Sequence, residues 1–193
     1  MAFVTSISAA QFSALAVSKD AVPASLTEAN LKTCFSTNTK IVEIKNVRDL
    51  PAFGTPANIV KVPVYGSAQT QSIGAQSDAP DLEVTVNYVA GDWVKSANAF
   101  ATSGVLGDAV ADGVSKVFQV ALLNSARGAN LSTALTAGIG GTLANPIANT
   151  LIYFVGKIES QMVQPARDDA VTATVAMSIQ SDFFGPFTVT ATT

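Results

Sequence analysis

The chain has 193 residues, of which 48% are hydrophobic and only 13% are charged, about half the charged share of a typical soluble domain. It contains no histidine and one cysteine, which excludes Ser-His-Asp catalysis, histidine-ligated metal sites and an internal disulfide framework. The net charge is −3 and the pI is near 4.8, so the basic patch of a sequence-reading nucleic-acid binder is missing. Because so few charges protect poorly against association, we expect much of the surface to contact other copies of the chain.

The N-terminal part of the sequence carries little pattern before a helix signal. Residues 1–24 are rich in Ala and Ser, and we interpret them as an arm with little core of its own. Ser25 and Glu28 then have the spacing of a capping box, which predicts a short helix that ends near Ser36. Cys34 lies in this amphipathic segment and is interpreted as a small buried residue, not as a reactive thiol.

From Lys40 onward the hydrophobic period changes to that of β-strands. Residues 41–47 and 59–65 are predicted strands, separated by an irregular stretch with Pro and Gly. Residues 65–81 are mostly Ser, Gln, Ala, Thr and Gly, and we interpret them as a protruding polar loop.

The clearest signal in the sequence is the alternation over residues 81–89. Apolar side chains point to one side of this predicted strand, and polar side chains point to the other. The apolar set is Leu82, Val84, Val86 and Tyr88, and the polar set is Asp81, Glu83, Thr85 and Asn87. This strand is therefore expected to have one face on the core and one face in water.

A flanking helix is predicted over residues 93–103, with Asp92 as its N-cap and Gly104 as its stop. Trp93, Ala97 and Phe100 form an apolar stripe at helical spacing. Such a stripe is typical of a helix that packs on a core, and we assign these residues to the core and not to a cofactor site.

The second half of the chain continues the strand pattern. Strands are predicted at 116–123, 150–160 and 170–179, and residues 180–193 form a C-terminal arm with a short final strand. A Gly- and Asn-rich insertion occupies 124–149. We predict a single mainly-β domain over residues 1–193, an antiparallel β-sandwich or barrel with one flanking α-helix and a short N-terminal helix.

Targeting signals are not evident. The N-terminus lacks the basic region of a secretory signal. The longest charge-free stretch, 128–156, carries Gly, Pro and Asn residues that are typical of loops and not of a membrane span. We expect a protein made in the cytoplasm, with no membrane-spanning segment.

The order of these elements resembles the bacteriophage tail tube proteins, over roughly residues 60–193. Two blocks carry the resemblance, one in the middle of the chain and one near its C-terminal end. The first block comprises Val62-Pro63-Val64-Tyr65-Gly66, residues 73–78, the strand 82–88 and Gly91-Asp92; the second comprises Phe154-Val155-Gly156-Lys157-Ile158 and residues 168–175.

The resemblance implies a tail-tube-like subunit that forms hexameric rings, which stack into a hollow tube through which the viral genome passes. It implies a virion protein whose partners are itself, the tape measure, the tail terminator, the baseplate or tip, and viral DNA that is not bound sequence-specifically. It places the inter-ring contact in the polar loop, at Gln69, Thr70, Gln71, Ser72 and Ile73. The polar strand residues Asp81, Glu83, Thr85 and Asn87 become the candidates for the lumen.

Charge is compatible with this interpretation. Residues 78–112 contain six acids and one base, a local charge of −5, whereas residues 32–61 contain five bases and two acids, a local charge of +3. Opposite patches can pair between copies, and acids in a channel repel the phosphates of DNA.

Other function classes have weaker signals. Asp168-Asp169, or Asp78 with Asp81, is a carboxylate pair that an enzyme or a Ca²⁺ site would use, but no Asp-x-Asp-x-Asp-Gly loop is present. A β-sandwich adhesin would show exposed aromatics, and only 7% of residues are aromatic. Another tail-ring or injection-machine subunit remains an alternative. We therefore predict a structural protein with no catalytic, cofactor or metal site.

Overall fold

A computed structural model describes residues 13–54, 59–63, 65–66, 68–74, 81–122, 150–167 and 169–188. The predicted insertion 124–149 lies outside the described residues, as do Asp78, Asp168 and both ends of the chain, 1–12 and 189–193.

The described residues form a mainly β fold, as predicted. The strands are β1 (Ala14–Ser18), β2 (Ile41–Ile44), β3 (Val47–Asp49), β4 (Ile59–Val62), β5 (Gln71–Gly74), β6 (Leu82–Asn87), β7 (Lys116–Leu122), β8 (Thr150–Gln164), β9 (Thr172–Ile179) and β10 (Phe184–Thr188). The helices are α1 (Glu28–Thr33), α2 (Ala90–Trp93), α3 (Phe100–Ser103) and α4 (Leu106–Asp112), and a 3₁₀ turn spans Asn38–Lys40.

Eight strands form one antiparallel sheet in the order β2-β1-β7-β8-β9-β6-β3, with β10 beside β8. Strand β8 is the longest strand of this sheet, with fifteen residues. Its first half pairs with β7 on one edge and with β10 on the other, and its second half pairs with β9. Among the described strands, β4 and β5 pair only with each other, in a separate hairpin.

Two clusters of buried side chains cover opposite faces of this sheet. The main core packs residues of β6, β7, β8 and β9 against Trp93 and Phe100, and Phe118 stacks on Phe154 with ring centroids 5.1 Å apart. A second cluster lies on the other side of β1, β7 and β8, under Leu31 and Phe35 of the α1 region. Each large side chain removed from water in this way contributes about 1.5–3 kcal/mol to stability.

The prediction that residues 1–24 form an arm is wrong for β1. All five of its residues are buried between β2 and β7. A strand covered on both faces needs no alternation of apolar and polar residues, and the small residues Ala14 and Ala16 gave no signal. The short final strand that was predicted in the C-terminal arm is present as β10, which pairs with the edge of β8.

The prediction of one continuous helix over 93–103 is also wrong. Trp93 and Phe100 are buried as expected, but they lie in two short helices, and Ala97 is exposed in the non-helical segment 94–99 between them. The N-cap of α2 is Val89 and not Asp92, whereas Gly104 ends α3 in the left-handed conformation, as predicted. Helix α1 is confirmed, with Thr27 in place of Ser25 as its cap.

Gly156 lies where strands β8 and β9 approach each other closely. A Cβ there would lie 2.8 Å from the carbonyl oxygen of Ser178 on the paired strand β9. The irregularity in the β8–β9 register falls later, between Ile158 and Ser160. Gly156 is therefore required for the close approach of the two strands, and the bend comes two residues beyond it.

Candidate functional site

The polar face of the sheet is built around β6, whose apolar residues Leu82, Val84 and Val86 are buried in the main core. Strand alternation directs the intervening side chains to the opposite side. Glu83 is exposed there, Thr85 and Asn87 are half-buried, and Asp81 is exposed immediately before the strand.

The neighbouring strands extend this polar face, because residues directly opposite in an antiparallel pair share one side of the sheet. The partners on β9 and β8 are almost all small or uncharged polar residues. Across from Glu83, Thr85 and Asn87 lie Ala176, Thr174 and Thr172 on β9, and across from those lie Ser160, Met162 and Gln164 on β8. The result is a largely polar surface three strands wide, and Met162 is the one large apolar side chain among these nine.

Charge on this polar face is negative. Lys157 forms an ion pair with Glu159 at 2.8 Å, and Ser178 Oγ donates to Glu159 at 2.6 Å. The hydrogen bonds from Lys157 and Ser178 lower the pKa of Glu159 below its usual value. Glu83 and Asp49, which lies opposite Thr85 on β3, have no ion-pair partner among the described residues. These four charged residues, one base and three acids, have a net charge of −2.

The margins of this part of the sheet are open. Among the described strands, β3 lies at the edge of the sheet, and none pairs with β8 beyond Gly156 on the edge that faces β7. Strands β3, β6, β9 and the second half of β8 therefore form a four-stranded segment with an unpaired margin on each side. Such margins present free backbone N–H and C=O groups that can pair with another chain.

The second candidate surface is the β4–β5 hairpin. The sequence predicted a loop over 65–81, but Gln71, Ser72 and Ile73 belong to strand β5, and Gln69 and Thr70 come just before it. This strand gave no signal because it is short and mostly polar. Val60 lies directly opposite Ile73.

The hairpin is exposed on both faces. Ile59, Val60 and Ile73 are 61%, 47% and 55% exposed, and Tyr65 is fully exposed near the turn. An isolated two-stranded hairpin is marginally stable in water. The described residues therefore leave the apolar side chains of this hairpin uncovered.

The helical flank is organised by two carboxylates that sequence reasoning did not identify. Asp108, which is buried, accepts hydrogen bonds from the amide and hydroxyl of Ser96 at 2.7 and 2.6 Å and from the hydroxyl of Ser103 at 2.6 Å. Asp112 accepts from the amide of Phe100 at 2.7 Å. These bonds occupy donors that a continuous helix would use internally, which accounts for the break between α2 and α3.

The hydrogen bonds from Ser103 and Ser96 lower the pKa of Asp108 below its ordinary value. The carboxylate is therefore ionised and fully engaged in holding the backbone, and it is not poised for proton transfer. It is a structural group of the flank.

The described residues contain no group of three or more side chains suited to hold a metal ion. Of the carboxylate pairs considered from the sequence, Asp78 and Asp168 lie outside the described residues. Asp169 accepts a hydrogen bond from the amide of Ala170 and forms an ion pair with Arg48 at 3.3 Å. Both contacts lower the pKa of the Asp169 carboxyl group. In the part of the chain that the structure describes, no helix is long and apolar enough to span a bilayer.

The sequence matches no protein-family model and no curated protein. A chain of the six-fold symmetrised baseplate of the anti-feeding prophage is similar in structure, with a TM-score of 0.51 and 10% identity over 90% of this chain and 91% of that one. A chain of the sheath/tube terminator of an extracellular contractile injection system has a TM-score of 0.50 and 9% identity, over 94% and 98% of the two chains. A chain of the SPP1 tail tube has a TM-score of 0.47 and 12% identity, over 90% and 76%. The first two matches span nine tenths of both chains and confirm the tail-tube-like fold that the sequence resemblance implied.

Proposed function

We propose that this chain is a structural subunit of a phage-tail-like tube, which assembles into rings that stack around a central channel. The observation that carries the proposal is the four-stranded segment β3-β6-β9-β8. Its face away from the main core is polar and acidic, and it has an unpaired margin on each side. The structural likeness to chains of a baseplate and of a sheath/tube terminator supports the same class of assembly.

Ring closure follows from the two margins. The edge of β3 in one copy pairs with the free edge of β8 in the next, so that one sheet passes from subunit to subunit. The two edges are different surfaces, and a contact between different surfaces generates a closed ring when the rotation per subunit divides a full turn. Six copies per ring is the number that the sequence resemblance implies, and it agrees with the six-fold symmetry of the baseplate to which this fold is similar.

The polar face then lines the channel. Its Thr, Ser, Asn and Gln side chains offer no large apolar surface, and Glu83 and Asp49 add negative charge. Duplex DNA carries one phosphate charge per ~1.7 Å of its axis, and an acidic wall keeps such a polymer from adhering. The channel therefore suits passage of the genome in a virion tail and not its capture. In that tail, the further partners are the tape measure, the terminator and the baseplate or tip.

A second candidate within the same class is a terminator ring, which forms rings but does not stack. The match to a chain of a sheath/tube terminator over 94% of this chain favours it. The two candidates share the ring contact and differ in whether the β4–β5 hairpin joins successive rings.

Negative-stain electron microscopy of the purified full-length chain separates these possibilities. We expect rings with a central hole that stack into tubes as the concentration rises. Isolated rings at every concentration would indicate the terminator, and a monomer throughout the concentration range would contradict both candidates. Removal of residues 69–74, which spares the main sheet, is expected to stop stacking while the subunit still folds and forms rings.

A further inference from the structure

The two unpaired margins of the four-stranded segment carry apolar side chains that the described residues cover only in part. On the core side of β8, Val163 lies opposite Ala173, which is buried in the main core, yet Val163 is 45% exposed. On β3, Val47 lies opposite the buried Val86. Val47 and the nearby Leu50 pack against the main core but are only half-buried. Among the described residues, the main core is therefore incompletely covered at both margins.

The β8 margin also carries a polar group without a partner. Gln161 lies opposite the buried Val175, so its side chain is on the core side of β8, two residues before Val163. Its Nε2 is buried and has no hydrogen-bond partner in the part of the chain that the structure describes. A buried donor without an acceptor is unfavourable, because it has lost its contact with water and gained no bond in exchange. This margin thus lacks both apolar cover and a hydrogen bond.

The strand ladder fixes the direction in which the two margins meet in the proposed ring. Each of β8, β9, β6 and β3 is antiparallel to its neighbour in the sheet. Because β8 and β3 are three steps apart, they run in opposite directions within one copy. Rotation about the channel axis leaves the direction of a strand along that axis unchanged. The edge of β3 therefore meets the β8 edge of the next copy as an antiparallel pair.

We propose that the β3 margin of one copy covers the β8 margin of the next copy, with the core sides and the polar faces of the two sheets matched. Val47 and Leu50 then lie on the core side with Val163, and the two main cores join through the contact. Asp49 lies on the polar face with Met162. This inference rests on the proposed function and specifies which side chains of a second copy cover the β8 margin.

The side chains of the two margins exclude the opposite arrangement. A shift of the pairing by one residue exchanges the two sides of a strand. It would place the Asp49 carboxylate, which has no ion-pair partner among the described residues, on the core side against Val163. Val47 would move to the polar face. Burial of an unpaired carboxylate and exposure of a valine are both unfavourable, so only registers that differ by two residues keep the faces matched.

Disulfide cross-linking tests the matched faces in assembled rings. In a Cys34→Ala background, Asp49→Cys is combined in turn with a cysteine at each position near the end of β8, and the rings are treated with a mild oxidant. The polar-face positions are Ser160, Met162 and Gln164, and the core-side controls are Gln161 and Val163. We expect covalent multimers up to the size of the ring from one polar-face pair, and none from the two core-side pairs.

Such multimers report a contact between copies and not within one. In a single copy, Asp49 is separated from β8 by β6 and β9, which is about 14 Å at the usual spacing of neighbouring strands. A disulfide joins Cβ atoms that are only about 4 Å apart. Dispersed subunits of the same variants are therefore expected to give no cross-link.

A second set of variants measures the contribution of Val163 without cysteines. Val163→Asp places a charge in the proposed contact, and the association constant between subunits should fall at least about tenfold, since burial of one valine contributes roughly that factor. Val163→Ile should retain association. The control is Val94→Asp, because Val94 is 58% exposed on the helical flank, and association should be unchanged. Sedimentation velocity over a range of concentrations measures association. Dispersed subunits of both Asp variants should unfold thermally like the parent, because both positions are exposed.

The outcomes separate this inference from the proposed function. Rings that cross-link through a core-side pair, or through none of the polar-face pairs, would overturn the matched contact and leave the ring subunit intact. Equal association of Val163→Asp and Val94→Asp would do the same. A parent protein that forms no rings would overturn both proposals. Cross-linking confined to one polar-face pair supports the contact.

Discussion

Strand β6 and the β4–β5 hairpin are built from similar residues but differ in the burial of their apolar side chains. In β6 the three apolar side chains Leu82, Val84 and Val86 are at most 2% exposed, whereas in the hairpin Val60 and Ile73 are about half exposed. Both elements are short, antiparallel and rich in β-branched residues. The two elements differ in what covers them, because β6 lies between β3 and β9 in the large sheet, whereas no described strand outside the hairpin pairs with β4 or β5.

The comparison teaches that the described residues cover one part of the structure by themselves and leave another part uncovered, which neighbouring copies would cover in the proposed assembly. The apolar side chains of β6 are buried by contacts within the chain. The hairpin and the open margins have no such contacts among the described residues, and the low charge of the sequence gives little electrostatic repulsion between copies. The two regions should therefore respond differently to the same kind of substitution.

The largest expected difference is between a core aromatic and a hairpin isoleucine. Phe118→Ala removes a fully buried ring that stacks on Phe154 and should lower the free energy of unfolding by about 3–5 kcal/mol. Ile73→Ala should change it by no more than ~0.5 kcal/mol, as exposed positions usually do. Urea denaturation of dispersed subunits measures both. Equal losses would mean that the hairpin belongs to the subunit's own core.

Glycine substitutions sharpen the same contrast at the level of the backbone. Gly156→Ala puts a Cβ 2.8 Å from the Ser178 carbonyl, and we expect a loss of about 1–3 kcal/mol from the strain of overpacking. Gly74→Ala, at the end of the hairpin, meets no atom within 4 Å and should be close to neutral. Thermal unfolding of the two variants side by side is the measurement. A neutral Gly156→Ala would show that β8 and β9 are not as closely packed as described.

The pH dependence of Asp108 tests whether the helical flank belongs with the self-contained part. Because the folded-state pKa of Asp108 is lowered from its ordinary value of 3.8, its stabilising effect is present above that value and is lost as the pH falls through the folded pKa. Asp108→Asn should therefore be less stable than the parent at pH 7, and the difference should shrink at acid pH. Denaturant curves at both pH values, with the exposed Asp81→Asn as control, test this. A difference that does not depend on pH would exclude an ionic role.

The smallest effect on folding is expected on the polar face. Glu83→Lys should change the free energy of unfolding by at most ~0.5 kcal/mol, since Glu83 is exposed. Rings should still form. Delivery of DNA by particles that carry this variant should fall, whereas Glu83→Gln should retain more of it. Unchanged infectivity with Glu83→Lys would remove this residue from the channel wall.

The sequence predicted the strands that have a clear alternation or a long apolar run, and it missed β1 and β5, which have neither. The alternation in β6 and β9 reports one covered and one open face, and both strands appear as expected. Strand β1 is covered on both faces and β5 on neither, so neither alternates. The break between α2 and α3 was missed because it depends on Asp108 and Asp112, which lie twelve residues from the groups they bind, beyond the reach of a local pattern.

The candidate surfaces were predicted unevenly for the same reason. Glu83, Thr85 and Asn87 were placed on one polar face from their spacing alone. Their partners on β8 and β9 and the open margins depend on strand order, and periodicity does not specify which strands become neighbours.

Hydrogen exchange of the backbone amides, compared between dispersed subunits and the assembled protein, tests most directly whether identical neighbours complete this sheet. Amides of the edge strand β3, of residues 160–164 on β8 and of the hairpin 59–74 should exchange rapidly in the subunit and become protected on assembly, while those of β7 remain protected throughout. Unchanged exchange in all three open segments after assembly would contradict the account.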